Sequence, residues 1–283
     1  MDWFLNINKT YKDLNKDSFS QCQITQNLKE LYLQFKGWSK TSVSADEGFV
    51  TIISHIKFPL FNSFISEMHD ISTLEKPLDD FTETVISREV PAMVWLPNEH
   101  EIVLQDSCLK ERGYIETDIS KSMCVDLTTL SRKISPIEQF DILPVTNVDM
   151  LRQWCDVFVQ GYQLPLFLSE IFFEFYSIFG FSNSAKLKHF ICFYNGVPVG
   201  TSSVFYGSEV AGVYNVSTVK SARKKGIGTQ VTIHALLSAL EYGFNIGVLI
   251  SSKMAENIYQ QIGFKVNGSY SIYSLIPNEE LIE

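Results

Sequence analysis

Residues 216–229, VSTVKSARKKGIGT, constrain this chain more than any other stretch. The β-formers Val216, Thr218 and Val219 run into a loop carrying Gly226 and Gly228. The apolar positions Val231, Ile233, Leu236, Leu237 and Leu240 follow at spacings that predict a helix, apolar on several sides and so lying on a sheet. The first backbone N–H groups of such a helix have no internal partner, and the macrodipole adds partial positive charge there. The two glycines let an anion approach the backbone closely. This is the physics of a pyrophosphate cradle. Lys220, Arg223, Lys224 and Lys225 put four cations within six residues of a chain whose net charge is -9. Such a cluster suits a ligand with several phosphates.

Two common cradles are excluded. The loop is no Walker A sequence, since it has no GxxxxGK[ST]. It is no dinucleotide fingerprint either, since the third glycine would fall at 231, which is valine. What remains is Arg-x-x-Gly-x-Gly between a strand and a helix.

The elements around the loop read clearly. A strand is expected at 140–145, then a helix capped by Thr146, with Asp149 in its first turn, running to about Gly161. A second amphipathic helix covers 166–179. Strands at 188–194 and 197–206 meet at Asn195-Gly196, a tight-hairpin signal. After a turn at 207–209 come a strand at 210–219, the cradle, a helix to about Tyr242 and a strand at 246–251. A helix at 255–262 stopped by Gly263 and a strand at 270–275 finish the order β-α-α-β-β-β-α-β-α-β. The first half echoes the end of this pattern: strand 92–96, helix 99–110, Gly113-Tyr114 and strand 121–127 form a weak internal repeat. It contains nothing like the cradle. With 128–136 as linker, the expected domains are 1–130 and 137–283. A length of 283 residues, about twice a typical domain, agrees.

Arg223-x-x-Gly226-x-Gly228 resembles the coenzyme A loop of the GNAT superfamily of N-acyltransferases, [Arg/Gln]-x-x-Gly-x-[Gly/Ala]. Downstream, Asn257, Tyr259 and Ile262-Gly263-Phe264 are similar to the family's later signature. The match covers roughly 138–275. The phrases GVYNVST (212–218) and SSKMA (251–255) look like a bacterial two-domain subgroup, and FPLFN (58–62) and WLP (95–97) fit its degenerate first domain.

The resemblance implies an α/β (α+β) fold: a mixed central sheet of GNAT type in the C-terminal half, preceded by a degenerate GNAT-like domain without the loop. It implies acetyl-coenzyme A as co-substrate, contacted by Val216, Ser217, Thr218, Arg223, Lys224, Lys225, Gly226, Ile227, Gly228, Thr229 and Asn257, with no metal. It also implies direct attack by an amine on the thioester. Backbone N–H groups of Val216, Ser217 and Thr218 would polarise the thioester oxygen. Tyr259 would be the catalytic residue that hydrogen-bonds the departing thiolate. Its ordinary pKa of about 10 lies above the ~8.5 of a thiol, so full proton transfer is not strongly driven. The base stays open among Glu209, Glu170, Glu174, His234 and a chain of water. The phenylalanines of 164–181 read either as core or as a greasy wall for the acceptor, and Ser252 either faces substrate or makes a turn. A coenzyme A sensor or scaffold without catalysis is the other reading.

Composition narrows the partners. A pI near 5.1 argues against nucleic acid, which wants a basic surface. The expected acceptor is a small-molecule or peptide amine. No run of about 18 apolar residues predicts a membrane span, and the N-terminus has no signal-type run. Five dispersed cysteines without CxxC, and no HExxH, point away from disulfides and zinc and toward a cytoplasmic location. The first domain is expected to support the second, or to make a homodimer.

Overall fold

The computed structural model describes residues 21–68, 71–98, 102–130, 140–182 and 184–277. In chain order they form α1 (Gln21–Leu33), β1 (Thr41–Asp46), β2 (Phe49–Ser54), β3 (Ser63–Ser66), α2 (Glu75–Ser87), β4 (Ala92–Asn98), α3 (Ile102–Glu111) and β5 (Ile115–Asp126). There follow β6 (Phe140–Pro144), α4 (Val148–Tyr162), α5 (Leu168–Ser177), β7 (Leu187–Tyr194), β8 (Val197–Tyr206), β9 (Ala211–Thr218), α6 (Ile227–Glu241), β10 (Ile246–Ser251), α7 (Glu256–Ile262) and β11 (Lys265–Leu275). The expected start of a helix at 99 and most of the expected linker, 131–136, lie outside the described residues.

All eleven strands join one sheet, in the order β1-β2-β3-β4-β11-β5-β10-β9-β8-β7-β6. The run β1-β2-β3-α2-β4-α3-β5 has the same order as β7-β8-β9-α6-β10-α7-β11. The halves exchange their last strands. β11 pairs antiparallel with β4, β5 pairs antiparallel with β10, and β5 and β11 pair with each other in the middle. The described parts of 1–130 and 137–283 therefore meet within the sheet. This exchange explains a misplaced boundary. The last strand begins at Lys265 rather than at 270, because Cys124 and Met123 of β5 give Lys265 and Val266 their partners.

The helix α4 forms where Leu151, Trp154, Cys155 and Phe158 repeat at helical spacing and bury one face. Its cap is Asn147, not Thr146. The Asn147 side chain accepts from the Met150 N–H, while the Thr146 hydroxyl donates to Met150 Sδ at 3.6 Å. Asparagine is the stronger cap, and here it has the extended backbone that capping needs. The hairpin between β7 and β8 turns on Asn195 and Gly196, both at positive φ, as the type I′ geometry demands.

The core fixes the relation between the halves. On the α1, α4 and α5 side of the sheet, a large buried cluster draws from both halves, and a small one around Ile24 does the same. Phe35 stacks on Phe175 at 4.0 Å, and Phe61 lies 5.4 Å from Phe172. On the opposite face, α2 and α3 cover the first half, and α6 and α7 cover the second, in separate clusters. A polar clasp supports the join: Asn27 of α1 donates to the Val210 carbonyl and accepts from the Tyr214 hydroxyl.

Candidate active site

The parallel pairing of β9 with β10 is short: Ala211 with Gly247 and Gly212 with Val248. Beyond it the strands part, and β9 runs on to Thr218. Between the register pairs Ser203–Tyr214 and Thr201–Ser217, β9 carries one extra residue, so Asn215 and Val216 together oppose Ser202. Asn215 sits at φ 54. A bulge of this kind interrupts the ladder and turns backbone groups out of it. Val216, Ser217 and Thr218 thus border the opening.

The cradle follows directly. A short turn, Lys220–Ala222, leads to Arg223 in extended conformation, Lys224 at φ 64 and Gly226 at φ 82, and α6 begins at Ile227. Gln230 N–H to the Gly226 carbonyl closes the first turn, which leaves the N–H groups of Ile227, Gly228 and Thr229 ahead of it. A Cβ on Gly228 would meet nothing nearer than Thr218 Oγ1 at 3.9 Å, so the space beside the backbone is open to a ligand. Lys224, Lys225 and Gly226 are exposed, and the Lys225 ammonium lies 4.2 Å from the Tyr194 ring centre. The residues present fit a pyrophosphate. Ile227 contributes its backbone only, since its side chain is buried beneath the loop.

Arg223 behaves differently from its neighbours. Its guanidinium turns inward, toward the carbonyls of Gly161 and Thr218.

Tyr259 of α7 is buried, with its ring 5.8 Å from Phe264. Burial, and then the neighbouring Tyr162, push its phenol well above the ordinary value. Asn257 is exposed on the same helix. Ser251 donates to the Ser252 carbonyl, and Ser252 is exposed in the turn after β10.

The carboxylates considered as base are engaged elsewhere. Glu209 sits in the turn before β9, at the strand end remote from the cradle, and accepts from Gln23. Glu170 pairs with Arg152 and Glu174 with Lys40. His234 packs its ring against Phe190, and burial lowers its pKa. Of the phenylalanines in 164–181, Phe172 and Phe175 belong to the core shared by the halves, while Phe167 and Phe181 are exposed. Among the described residues, no group of three His, Cys, Asp or Glu could hold a metal, and no helix is long and apolar enough to cross a membrane.

Sequence reasoning missed the residues that shape the opening from behind: Gly161 and Tyr162 at the end of α4, and the polar set Asn215, Ser203 and His189. One signal was available. A lone asparagine inside a strand of β-formers marks a residue suited to positive φ, hence a bulge.

Residues 150–264 match the family model described as Acetyltransferase (GNAT) family. Among solved structures, a GCN5-related N-acetyltransferase from Kribbella flavida is similar at a TM-score of 0.68 and 15% identity, over 93% of this chain and 98% of that one. A functionally unknown conserved protein from Staphylococcus epidermidis matches at 0.63 and 12%, over 86% and 97%. A tandem GNAT protein from the clavulanic acid biosynthesis pathway matches at 0.59 and 9%, over 92% and 94%. At such identities these likenesses speak for the fold. No curated protein matches the chain.

Proposed function

Since this chain is a tandem-like member of the GNAT superfamily, we propose that it transfers an acetyl group from acetyl-coenzyme A to an amine. One observation carries the reading. The only loop of the sequence with the form Arg-x-x-Gly-x-Gly opens a helix beside the gap where β9 and β10 part. A bound acetyl-coenzyme A would supply the activated acetyl group. The N–H groups of Ile227, Gly228 and Thr229, with Lys220, Lys224 and Lys225, hold its phosphates. The backbone of Val216 to Thr218 offers donors to the developing oxyanion. Tyr259, kept protonated by burial, donates a hydrogen bond to the departing sulfur. Asn257 contacts the ligand from the same helix. With Glu209, Glu170, Glu174 and His234 occupied elsewhere, water in the cleft takes the amine proton. The stretch 137–283 carries the chemistry, and 1–130 supports it without a second cradle. The acceptor is a small-molecule or peptide amine. The free thiols suit a reducing compartment, and we place the protein in the cytoplasm.

Calorimetry with coenzyme A, then thioester cleavage across an amine panel, tests this. One coenzyme A per chain is expected, with binding lost in Gly228→Glu. Failure of the wild type to bind would overturn the reading. Binding without cleavage for any amine would leave a coenzyme A sensor.

A further inference from the structure

The bulge in β9 is locked by side chains that come from other strands and from the helix layer. Asn215 Nδ2 donates to Ser203 Oγ at 3.0 Å, and Ser203 Oγ lies 2.7 Å from His189 Nδ1. Ser203 has one hydroxyl proton. Its oxygen has two lone pairs, so it accepts from Asn215 and can either donate to His189 Nδ1 or accept from it. Burial keeps the imidazole neutral. Its surroundings are aromatic. His189 is buried between the rings of Trp154, at 4.4 Å, and Tyr176, at 4.6 Å, and among the described residues Nε2 has no hydrogen-bond partner. Asn215, Ser203 and His189 thus form one connected hydrogen-bonded set.

The backbone of the bulge is held as well. Thr201 Oγ1 donates to the Asn215 carbonyl at 2.8 Å, so Ser217 Oγ must be the donor in its 2.8 Å contact with Thr201 Oγ1. Asn215 is thus tied at its amide and at its carbonyl, and Ser217 two residues on is tied to the same threonine. A bulge held only by its own φ angle could flatten or shift by one residue. This one has the Asn215 amide, the Asn215 carbonyl and the Ser217 hydroxyl fastened to β8.

We propose that Asn215 is a positioning residue of the acyl-transfer site: its side chain, seated on Ser203 and His189, fixes the β9 bulge and with it the direction of the Val216 N–H toward the gap between β9 and β10. The proposal rests on the acyl-transfer reading above, and adds residues that touch no reacting atom. It explains why a buried histidine, costly to leave half-satisfied, stands behind an otherwise plain strand.

Asn215→Gly is the decisive variant, because glycine accepts positive φ without strain and removes only the amide. Removing an oxyanion donor outright costs about 10²–10³ in kcat. A loosened donor should cost less, about tenfold to a hundredfold, with KM for acetyl-coenzyme A within about twofold of wild type. Ser203→Ala should act in the same direction. Hydrogen exchange over 211–219 should quicken in both variants while the melting temperature stays near wild type. Wild-type kcat in Asn215→Gly overturns the positioning role alone, as does a loss of kcat that merely tracks lost stability and lost coenzyme A affinity. Unchanged exchange overturns the lock itself. An inactive wild type overturns the acyl-transfer reading instead.

Discussion

Arg223 Nη2 donates to the carbonyl of Gly161 at 2.7 Å, and Arg223 Nε donates to the carbonyl of Thr218 at 3.2 Å. One guanidinium thus ties the last turn of α4 to the end of β9. The carbonyls at a helix C-terminus lack internal partners and attract positive charge, so the pairing is favourable on both counts. The arginine of the loop sets the shape of the opening, and the lysines beside it face outward.

Arg223→Ala should lose about 1.5–3 kcal/mol of stability, the range for a hydrogen bond to a charged donor. Coenzyme A affinity should fall with it as the loop relaxes. Arg223→Lys should restore little, because an ammonium lacks the fork that spans both carbonyls. Denaturant unfolding and calorimetry on the same samples decide the point. Lost affinity at full stability would show a direct phosphate contact instead.

Gly161→Ala sets two effects against each other. Helix propensity favours alanine by about 1 kcal/mol. A Cβ at 161, however, would stand 2.5 Å from Ser217 Oγ and 3.1 Å from the Thr218 nitrogen. Overpacking of this kind costs about 1–3 kcal/mol, so the variant should be less stable and slower. A stabilised, fully active Gly161→Ala would contradict the close approach of α4 to β9.

Tyr259→Phe keeps the ring packing against Phe264 and removes only the hydroxyl. Its kcat should drop about tenfold or more while coenzyme A binding persists. Because burial raises the wild-type phenol, no loss of rate from its ionisation should be seen up to about pH 10. An alkaline break below that pH, absent from Tyr259→Phe, would contradict the assignment.

Burial lowers His189 to about 3, against roughly 6.5 in the unfolded chain. A depressed folded value means the unfolded state binds the extra proton. The contribution is fully present above about pH 6.5 and is lost as pH falls toward 3, by up to about 1.4 kcal/mol per unit. Stability measured from pH 7 to pH 4 should show this slope, and His189→Gln should flatten it. Equal slopes would place the acid sensitivity elsewhere.

Much of the second half was legible because its signals are local. Asn195-Gly196 marks a turn, Gly263 stops a helix, and glycines before an apolar run mark the cradle. Boundaries failed where a distant partner decided them. Lys265 and Val266 join a strand only because β5 lies beside them, and nothing near residue 265 says so. The cap falls on Asn147, the stronger capping residue, which the neighbouring Thr146 masked. In the first half, β1 to β3, α1 and α2 went unread for want of strong punctuation.

The sequence by itself determined the glycine loop that opens α6, since a glycine loop at a helix start works through its own backbone and needs no remote residue. It also determined that Arg-x-x-Gly-x-Gly occurs once. The tertiary structure decided the rest: that Arg223 braces α4, that Phe172 and Phe175 close the join between the halves, and that Asn215 stands on Ser203 and His189. Each of these pairs residues separated by 12 to more than 100 positions, and only the folded sheet, with its exchanged last strands, brings them within reach.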